Sequence, residues 1–565
     1  MNTNRNKSCS LKNPFRGFRY ICVSFLVFHS SFFVLAAQET DRTFLINKNL
    51  STFNAVMREL DLFYVDTLDY DKMTKNGIDY MLRNLDPYTV YMPEEDADDI
   101  NMMTKGEYGG IGAIVTKNGD NVCISEPYEG LPAQKNGLKA GDVILEVDGK
   151  STKGLSVSDV SSMLRGTPST KIKVKVQRLG EKKPIEKTFL REKIQMHPIA
   201  FQAVVGEKVG YVLLNDFTDR AALELKAAVN GMIKNDGIES LIIDVRDNGG
   251  GLIDEAVKIV GFFVPKGTEV VATRGRIRQT GRTYMTPTEP IFPDIKLAVL
   301  TNRSSASASE ILAGAIQDLD RGVVIGERTF GKGLVQNIRP VGYGGHLKVT
   351  TAKYYIPSGR CIQAIDYSHR NEDGSVARVP DSLSNVFYTK NGRQVRDGGG
   401  IIPDTLTTDE KTMNVAYHIY LQNHYFNFAN QYVLNHESIP HPSQFELSDE
   451  DFDAFIDYLK TKDFTYTPQS SRYFKELEEI AKYEGLLEQV SEEIEALKKK
   501  LIPDISQDIR NNKKDIVDLL SVEILKRYYY QKGEIEYTLR SDKDVDVALS
   551  ILQSDKYAEI LSGKK

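Results

Sequence analysis

From Lys208 to Asp404 the chain alternates short apolar runs with amphipathic ones, and this rhythm limits the available folds more than any other feature. "KVGYVLLNDF", "SLIIDVRD", "KLAVLTN" and "GVVIGE" read as strands, while "AALELKAAVNGMIKN", "IDEAVKIVGFFV" and "EILAGAIQDL" carry helical spacing. Strand and helix in turn predict an α/β core, with a parallel or mixed sheet covered by helices. Sites in such sheets gather at the carboxyl ends of strands. Two loops at such ends stand out, "DVRDNGGG" (Asp244–Gly251) and "SSASASE" (Ser304–Glu310).

A serine where a strand turns into a helix is well placed for nucleophilic chemistry, because the free N–H groups and positive end of the new helix stabilise a developing oxyanion. Serine is also a preferred N-cap, so the stretch alone leaves both readings open. A third loop, "GERTFGKG" (Gly326–Gly333), fits the first seven positions of a phosphate-binding loop. Gly333 stands where Ser or Thr would hold Mg²⁺, and the following "LVQNIRP" reads as a strand instead of a helix, which argues against nucleotide binding. Lys332 has another use. A lysine held away from water tends to lose its proton, and a neutral amine is a competent base for a serine hydroxyl. A solvated lysine in a glycine turn is the plain alternative. "NGGGL" lacks the G-x-G-x-x-G spacing of a dinucleotide loop and reads better as a backbone oxyanion site.

Between Glu107 and Glu192 the signals change to short β-rich runs with one helical piece, "SVSDVSSMLRG". The glycine loop Gly109-Gly110-Ile111-Gly112 and the run "GLPAQKNGLKAGDVILEVDG" (Gly130–Gly149) resemble a PDZ domain. Successive glycines let backbone N–H groups converge on a chain-terminal carboxylate, while the adjoining strand edge pairs with the peptide. The alternative is that these glycines only shape a turn.

The chain's ends are of another character. Arg5, Lys7, Lys12, Arg16 and Arg19 precede the apolar "YICVSFLVFHSSFFVLAA" (Tyr20–Ala37), the layout of a secretory signal peptide. Cleavage near Ala36 or Ala37 is favoured over retention as an anchor, and would remove Cys9 and Cys22; spacing does not settle whether Cys123 and Cys361 pair. A net charge of −6 gives no reason to expect nucleic acid as a partner. Leu50–Met92 reads as two or three amphipathic helices closed by Asp86-Pro87, too short a set to bury its own apolar face. Near the other end, Ile480, Tyr483, Leu487, Val490, Ile494, Leu497 and Leu501 repeat at steps of three and four, a heptad seam interrupted by Gly485. That seam fits either a coiled coil between chains or a helix packed in its own domain.

The serine, lysine and glycine loops, preceded by a PDZ-like module and joined by "NLDPYTVYM", "GEYGGIGA" and "GGGIIPD", together closely resemble the carboxyl-terminal processing proteases, the tail-specific S41 serine peptidases. The resemblance covers roughly residues 50 to 404. It implies a multidomain α/β protein: a mixed-sheet protease core of the crotonase/ClpP-like type, an inserted PDZ-like β domain, and helical N- and C-terminal regions. The expected limits are a signal peptide over 1–37, helices over 38–103, the PDZ domain over 104–192, the core over 193–405 and a helical region over 406–565. Ser307 matches the family nucleophile, Lys332 the general base and Gln336 the residue that orients it. The oxyanion donors map to the N–H of Ala308 and of Gly249 or Gly250, and substrate binding to Gly109, Gly110, Ile111 and Gly112. No metal or cofactor is expected. The implied partners are proteins or peptides with free, apolar C-termini; a homodimer through the helical regions and an association with an adaptor or a membrane are further candidates. The implied location is the bacterial periplasm or cell envelope, at the inner membrane if the signal segment stays. Two rivals stand beside this reading: a PDZ scaffold with a decayed core, and the related tricorn-type Ser-His arrangement, for which His346 is the nearest histidine in sequence.

Overall fold

The structure is a computed structural model describing residues 41–563, apart from 278, 280, 372–374, 408–414 and 502–503. The signal segment over 1–37, with Cys9 and Cys22, lies outside the described residues. The described residues fall into two compact units, 41–81 and Leu82 onward. The described part of the first unit is helical, over 41–63 and into the helix Tyr70–Arg83, and exposes Phe44, Leu50 and Phe53.

In the second unit the alternating segment builds a six-stranded sheet. Its order is Ile199–Val205, Val209–Leu214, Ser240–Asp244, Lys296–Thr301, Val323–Gly326 and Thr405–Leu406; the first pair is antiparallel and every later pair parallel. The sheet is therefore mixed. Every residue of Ser240–Asp244 is buried, the mark of a strand covered on both faces. Strand alternation sends Leu241 and Ile243 to one face, where the helices Ala221–Asp236, Ile253–Val260 and Ala308–Asp318 pack, and Ile242 to the other. That other face is covered from far along the chain: Val545, Ala548, Ile551 and Leu552 of the helix Lys543–Leu552 pack on Tyr211, Ile242, Leu300 and Ile325. Burial of the valine, isoleucine and leucine side chains stabilises by about 1.5–3 kcal/mol each. The helix Lys543–Leu552, within the helical region over 406–565, thus covers the second face of the core sheet.

The PDZ-like module is an antiparallel sheet ordered Ala113–Asn118, Asn121–Pro127, Val143–Val147, Lys171–Gln177 and Ile185–Leu190, with the helix Val157–Leu164 beside the first strand. Val122, Ile124, Ile144, Val160 and Val174 form its core. A two-stranded ribbon, Glu107–Gly110 against Glu192–Gln195, joins both ends of the module to the rest of the unit. In the C-terminal region the heptad seam does not run through one helix. Gly485 takes φ +73° and divides it into Gln469–Tyr483 and Leu487–Leu501, which fold back so that Lys498 reaches Glu478 at 2.5 Å. Glycine at that φ is an ordinary helix terminator, and it overrode the seven-residue pattern.

Candidate active site

Three loops leave the carboxyl ends of adjacent parallel strands: the glycine loop after Ser240–Asp244, the serine loop after Lys296–Thr301 and the lysine loop after Val323–Gly326. Strand order alone makes them neighbours.

In the serine loop two hydroxyls are committed to structure. Ser305 donates to the Val245 carbonyl at 2.7 Å and Ser309 to the Asn248 carbonyl at 2.9 Å, and both are fully buried. Ser307 between them is half-buried and holds φ +57° and ψ −113° at the start of the helix Ala308–Asp318. Such a backbone costs a non-glycine residue about 1–3 kcal/mol and is kept where the surroundings impose it. Here the Glu310 carboxylate accepts the Ser307 N–H at 2.9 Å, and the Tyr354 hydroxyl donates to the Ser307 carbonyl at 3.1 Å.

Asn248 shapes the glycine loop. Its amide donates to the Leu214 carbonyl at 2.6 Å, its side-chain oxygen accepts the Gly250 N–H at 2.8 Å, and its own carbonyl accepts the Ala306 N–H at 3.0 Å. Gly250, at φ +106°, lies so close to the serine loop that a Cβ there would stand 2.7 Å from both the Ala306 oxygen and Ser307 Cβ. Of the two glycines considered for the oxyanion, Gly250 has its N–H occupied and Gly249 faces open space. Among the described residues the N–H groups of Gly249 and Ala308 meet no acceptor.

Glu310 ties the serine loop to the lysine loop. It is fully buried and accepts four hydrogen bonds: from Ser307 N–H and Lys332 N–H on Oε2, at 2.9 and 2.8 Å, and from Gly331 N–H and the Thr329 hydroxyl on Oε1, at 2.8 and 2.5 Å. Burial pushes its pKa up, against these four donors, which favour the ionised form. Gly331 and Gly333 cannot carry side chains: a Cβ would meet Ala364 Cβ at 2.3 Å or the Gln363 nitrogen at 2.8 Å. Between them Lys332 turns inward, its Nζ 4.2 Å from the centroid of the Tyr88 ring. Burial pushes the Lys332 amine down to about 8, helped by the charge of Lys348 and opposed by Glu310 and Asp86.

Gln336 lies in the strand Leu334–Gly342, which forms a hairpin with Gly345–Tyr355. The register slips between Val335 and Gln336, so the simple alternation that would face Gln336 with Lys332 is interrupted, and Gln336 Nε2 donates to Thr350 Oγ1 at 3.2 Å. Among the described residues no hydrogen bond joins Lys332 Nζ to Ser307 or Gln336. Unliganded sites often hold such contacts long, and they tighten only with substrate. His346 sits in the hairpin strand, opposite Pro340 and Met92, with Nδ1 buried and unpartnered.

Sequence reading missed three contributors. Glu310 was visible only as the end of "SASASE", Tyr354 as a strand residue, and Asp86-Pro87 as a helix stop. Asp86 Oδ1 accepts the N–H of Tyr88 and of Thr89, both at 2.9 Å, and Oδ2 accepts the Thr89 hydroxyl at 3.0 Å. Thr89 Oγ1 in turn accepts the Thr350 N–H, and Val90–Met92 pairs with His346–Lys348. An aspartate followed by proline and, three residues on, threonine is a side-chain-capped turn, and that signal was available.

In the PDZ-like module the four loop residues separate. Gly109 and Gly110 are in the joining ribbon, where the Gly109 carbonyl accepts the Gly166 N–H. Ile111 is 3% exposed and belongs to the module's core, and Gly112 turns the chain at φ +69°. The strand Ala113–Asn118 pairs within its sheet along one edge only, with the helix Val157–Leu164 beside it. Cys123 and Cys361 are both free thiols.

Residues 208–370 match the model of peptidase family S41, 123–178 that of a PDZ domain, and 415–552 the "Probable PDZ-protease, C-terminal helical domain". A carboxy-terminal-processing protease of Bartonella bacilliformis is 37% identical over 344 residues, 60% of this chain and 79% of that protein. A protein of Staphylococcus aureus named "Probable CtpA-like serine protease" is 36% identical over 316 residues, 56% of this chain and 62% of that protein. Among solved structures, the photosystem II D1 C-terminal processing protease is 28% identical, covering 63% of this chain and 87% of that one, with a TM-score of 0.35.

Proposed function

The chain belongs to the carboxy-terminal-processing proteases, serine peptidases of family S41, and from that premise we propose that it is an exported endopeptidase cutting by acyl-enzyme chemistry with Ser307 as nucleophile and Lys332 as base. The observation that carries this reading is the shared Glu310 oxygen, which accepts the backbone N–H of both residues and so fixes the serine loop against the lysine loop. A base works best when its pKa lies near the working pH, and burial has brought the Lys332 amine toward that range.

In the proposed reaction Lys332 Nζ takes the proton of Ser307 Oγ as the Oγ–carbonyl bond forms. The oxyanion is met by the free N–H groups of Ala308 and Gly249, at the positive end of the Ser307 helix. The proton then passes to the departing amine as the C–N bond breaks, and water repeats the sequence on the ester. Gln336 orients the amine once substrate has closed the site. The substrate's free C-terminus docks along the edge of Ala113–Asn118 in the PDZ module, with its carboxylate at the Ile111–Gly112 turn, and the tethered chain reaches Ser307 at raised effective concentration. The domain limits proposed are 104–192 for the PDZ module and 193–405 for the core, with the helices from Lys543 counted to the core's second face.

The test is turnover of an unfolded protein substrate by the full chain. Ser307→Ala and Lys332→Ala should each abolish cleavage and the double variant should be scarcely worse, because the two act as one unit. Appreciable cleavage by Ser307→Ala would remove the assignment.

A further inference from the structure

The face of the Tyr88 ring lies against the Lys332 amine at 4.2 Å. The ring is held there from two sides. Asp86 fixes the backbone through the N–H groups of Tyr88 and Thr89, and Tyr367 packs edge-on at 6.0 Å with its hydroxyl 3.4 Å from that of Tyr88. The charged groups facing Lys332 are Lys348, which opposes an ammonium, and Glu310 and Asp86, which favour one. None is within hydrogen-bonding distance of Nζ, so among the described residues the ring face is its direct polar contact.

An aromatic face attracts an ammonium through its quadrupole and gives a neutral amine little beyond dispersion. Unlike a carboxylate, it does not pin the amine as a permanent ion pair. These properties suit a base that must be held in place, stay easily deprotonated, and be stabilised at the moment it becomes charged. We propose that Tyr88 is a second positioning residue of the base beside Gln336, its ring face holding the Lys332 amine and stabilising the ammonium formed when the Ser307 proton arrives. This rests on the Ser307–Lys332 reading above. The proton is conserved: the Oγ–H bond breaks, an Nζ–H bond forms, and the same proton leaves on the departing amine.

The pH dependence of kcat/KM on an unfolded protein substrate, measured with the full chain, decides the matter. Tyr88→Phe keeps the ring and should follow the parent profile. Tyr88→Leu keeps an apolar surface without the quadrupole, so the ammonium loses support and the limb set by Lys332 should move to lower pH by roughly 0.4–1.5 units. Progressively fluorinated phenylalanines at position 88 hold the shape and weaken the quadrupole, and the limb should descend in step with fluorination; this series decides the question even if the leucine variant fails to fold. An unmoved limb in the fluorinated series would reduce Tyr88 to packing, and a Tyr88→Phe shift as large as that of Tyr88→Leu would transfer the role to the hydroxyl. Turnover by Lys332→Ala with the limb unchanged would instead overturn the dyad itself, an outcome separate from either.

Discussion

Replacing Lys332 by methionine should end turnover and at the same time make the protein more stable at neutral pH. In the unfolded chain the amine titrates near 10.5, and in the folded protein burial brings it to about 8. Between those values the unfolded chain holds one more proton than the folded one, so stability rises with pH across that window, and below pH 8 the burial cost is present in full. The difference corresponds to about 3.4 kcal/mol at about 1.36 kcal/mol per pH unit, which residual contact with water reduces to roughly 2–3 kcal/mol. Methionine fills similar space without a charge. The gain should therefore be about 2–3 kcal/mol at pH 7, shrinking toward zero by pH 10.5. For a core of this size it is roughly 4–12 °C in the melting temperature. Melts of the full chain in a Ser307→Ala background, which prevents self-cleavage, would follow the core transition at pH 7, 8.5 and 10. A variant no more stable at pH 7, or a gain that stays constant with pH, would refute the claim that Lys332 is held against its hydration.

Three further outcomes follow from the same geometry. Glu310→Gln leaves at least two of four buried donors without an acceptor, and should lower stability by about 2–4 kcal/mol and turnover by at least about a hundredfold, read by melts and initial rates. Gly250→Ala forces a Cβ to 2.7 Å from the serine loop, and kcat should fall at least about tenfold with KM little changed, since the loss falls on oxyanion stabilisation. Peptides ending in an apolar free acid should be cut faster than their C-terminal amides by the full chain; equal rates would take substrate selection away from the PDZ module.

What the sequence disclosed and what it hid follow one rule of range. The strand-helix rhythm and the two loops at strand ends are local patterns, and the structure carries them as read. The hydroxyls of Ser305 and Ser309 are both spent on backbone carbonyls of the neighbouring glycine loop, a commitment across two segments that the serine-rich stretch does not announce. Glu310 stood inside the quoted motif, yet its four donors come from two segments that only the adjacency of two strands brings together, and no pattern within one helix announces that. Tyr88 belongs to a turn far upstream whose Asp86-Pro87 signature, within its own segment, says only that a helix ends. The bulge at Gln336 and the break at Gly485 are single-residue departures from period two and period seven, and a periodicity argument averages over such departures.

The same rule applies to the C-terminal helices, whose sequence offers no catalytic motif but which reach the site through one guanidinium. Arg246, two residues past the strand Ser240–Asp244 and at the root of the glycine loop, pairs with Asp244 at 2.6 Å, with Asp542 at 2.6 Å and with Asp544 at 3.0 Å. Asp542 also caps the helix Lys543–Leu552 by accepting from the N–H groups of Asp544 and Val545. The loop that supplies Gly249 is thus clamped between its own strand and a helix that covers the second face of the sheet. Removing Arg246 would leave the carboxylates of Asp244, Asp542 and Asp544 close together without their shared cation, at a cost of about 3–5 kcal/mol. Ser307 in a strained backbone and Lys332 held from water both oppose stability, and they persist because the sheet beneath them is covered on both faces. The helices after Leu539 are therefore part of what keeps the loops in register.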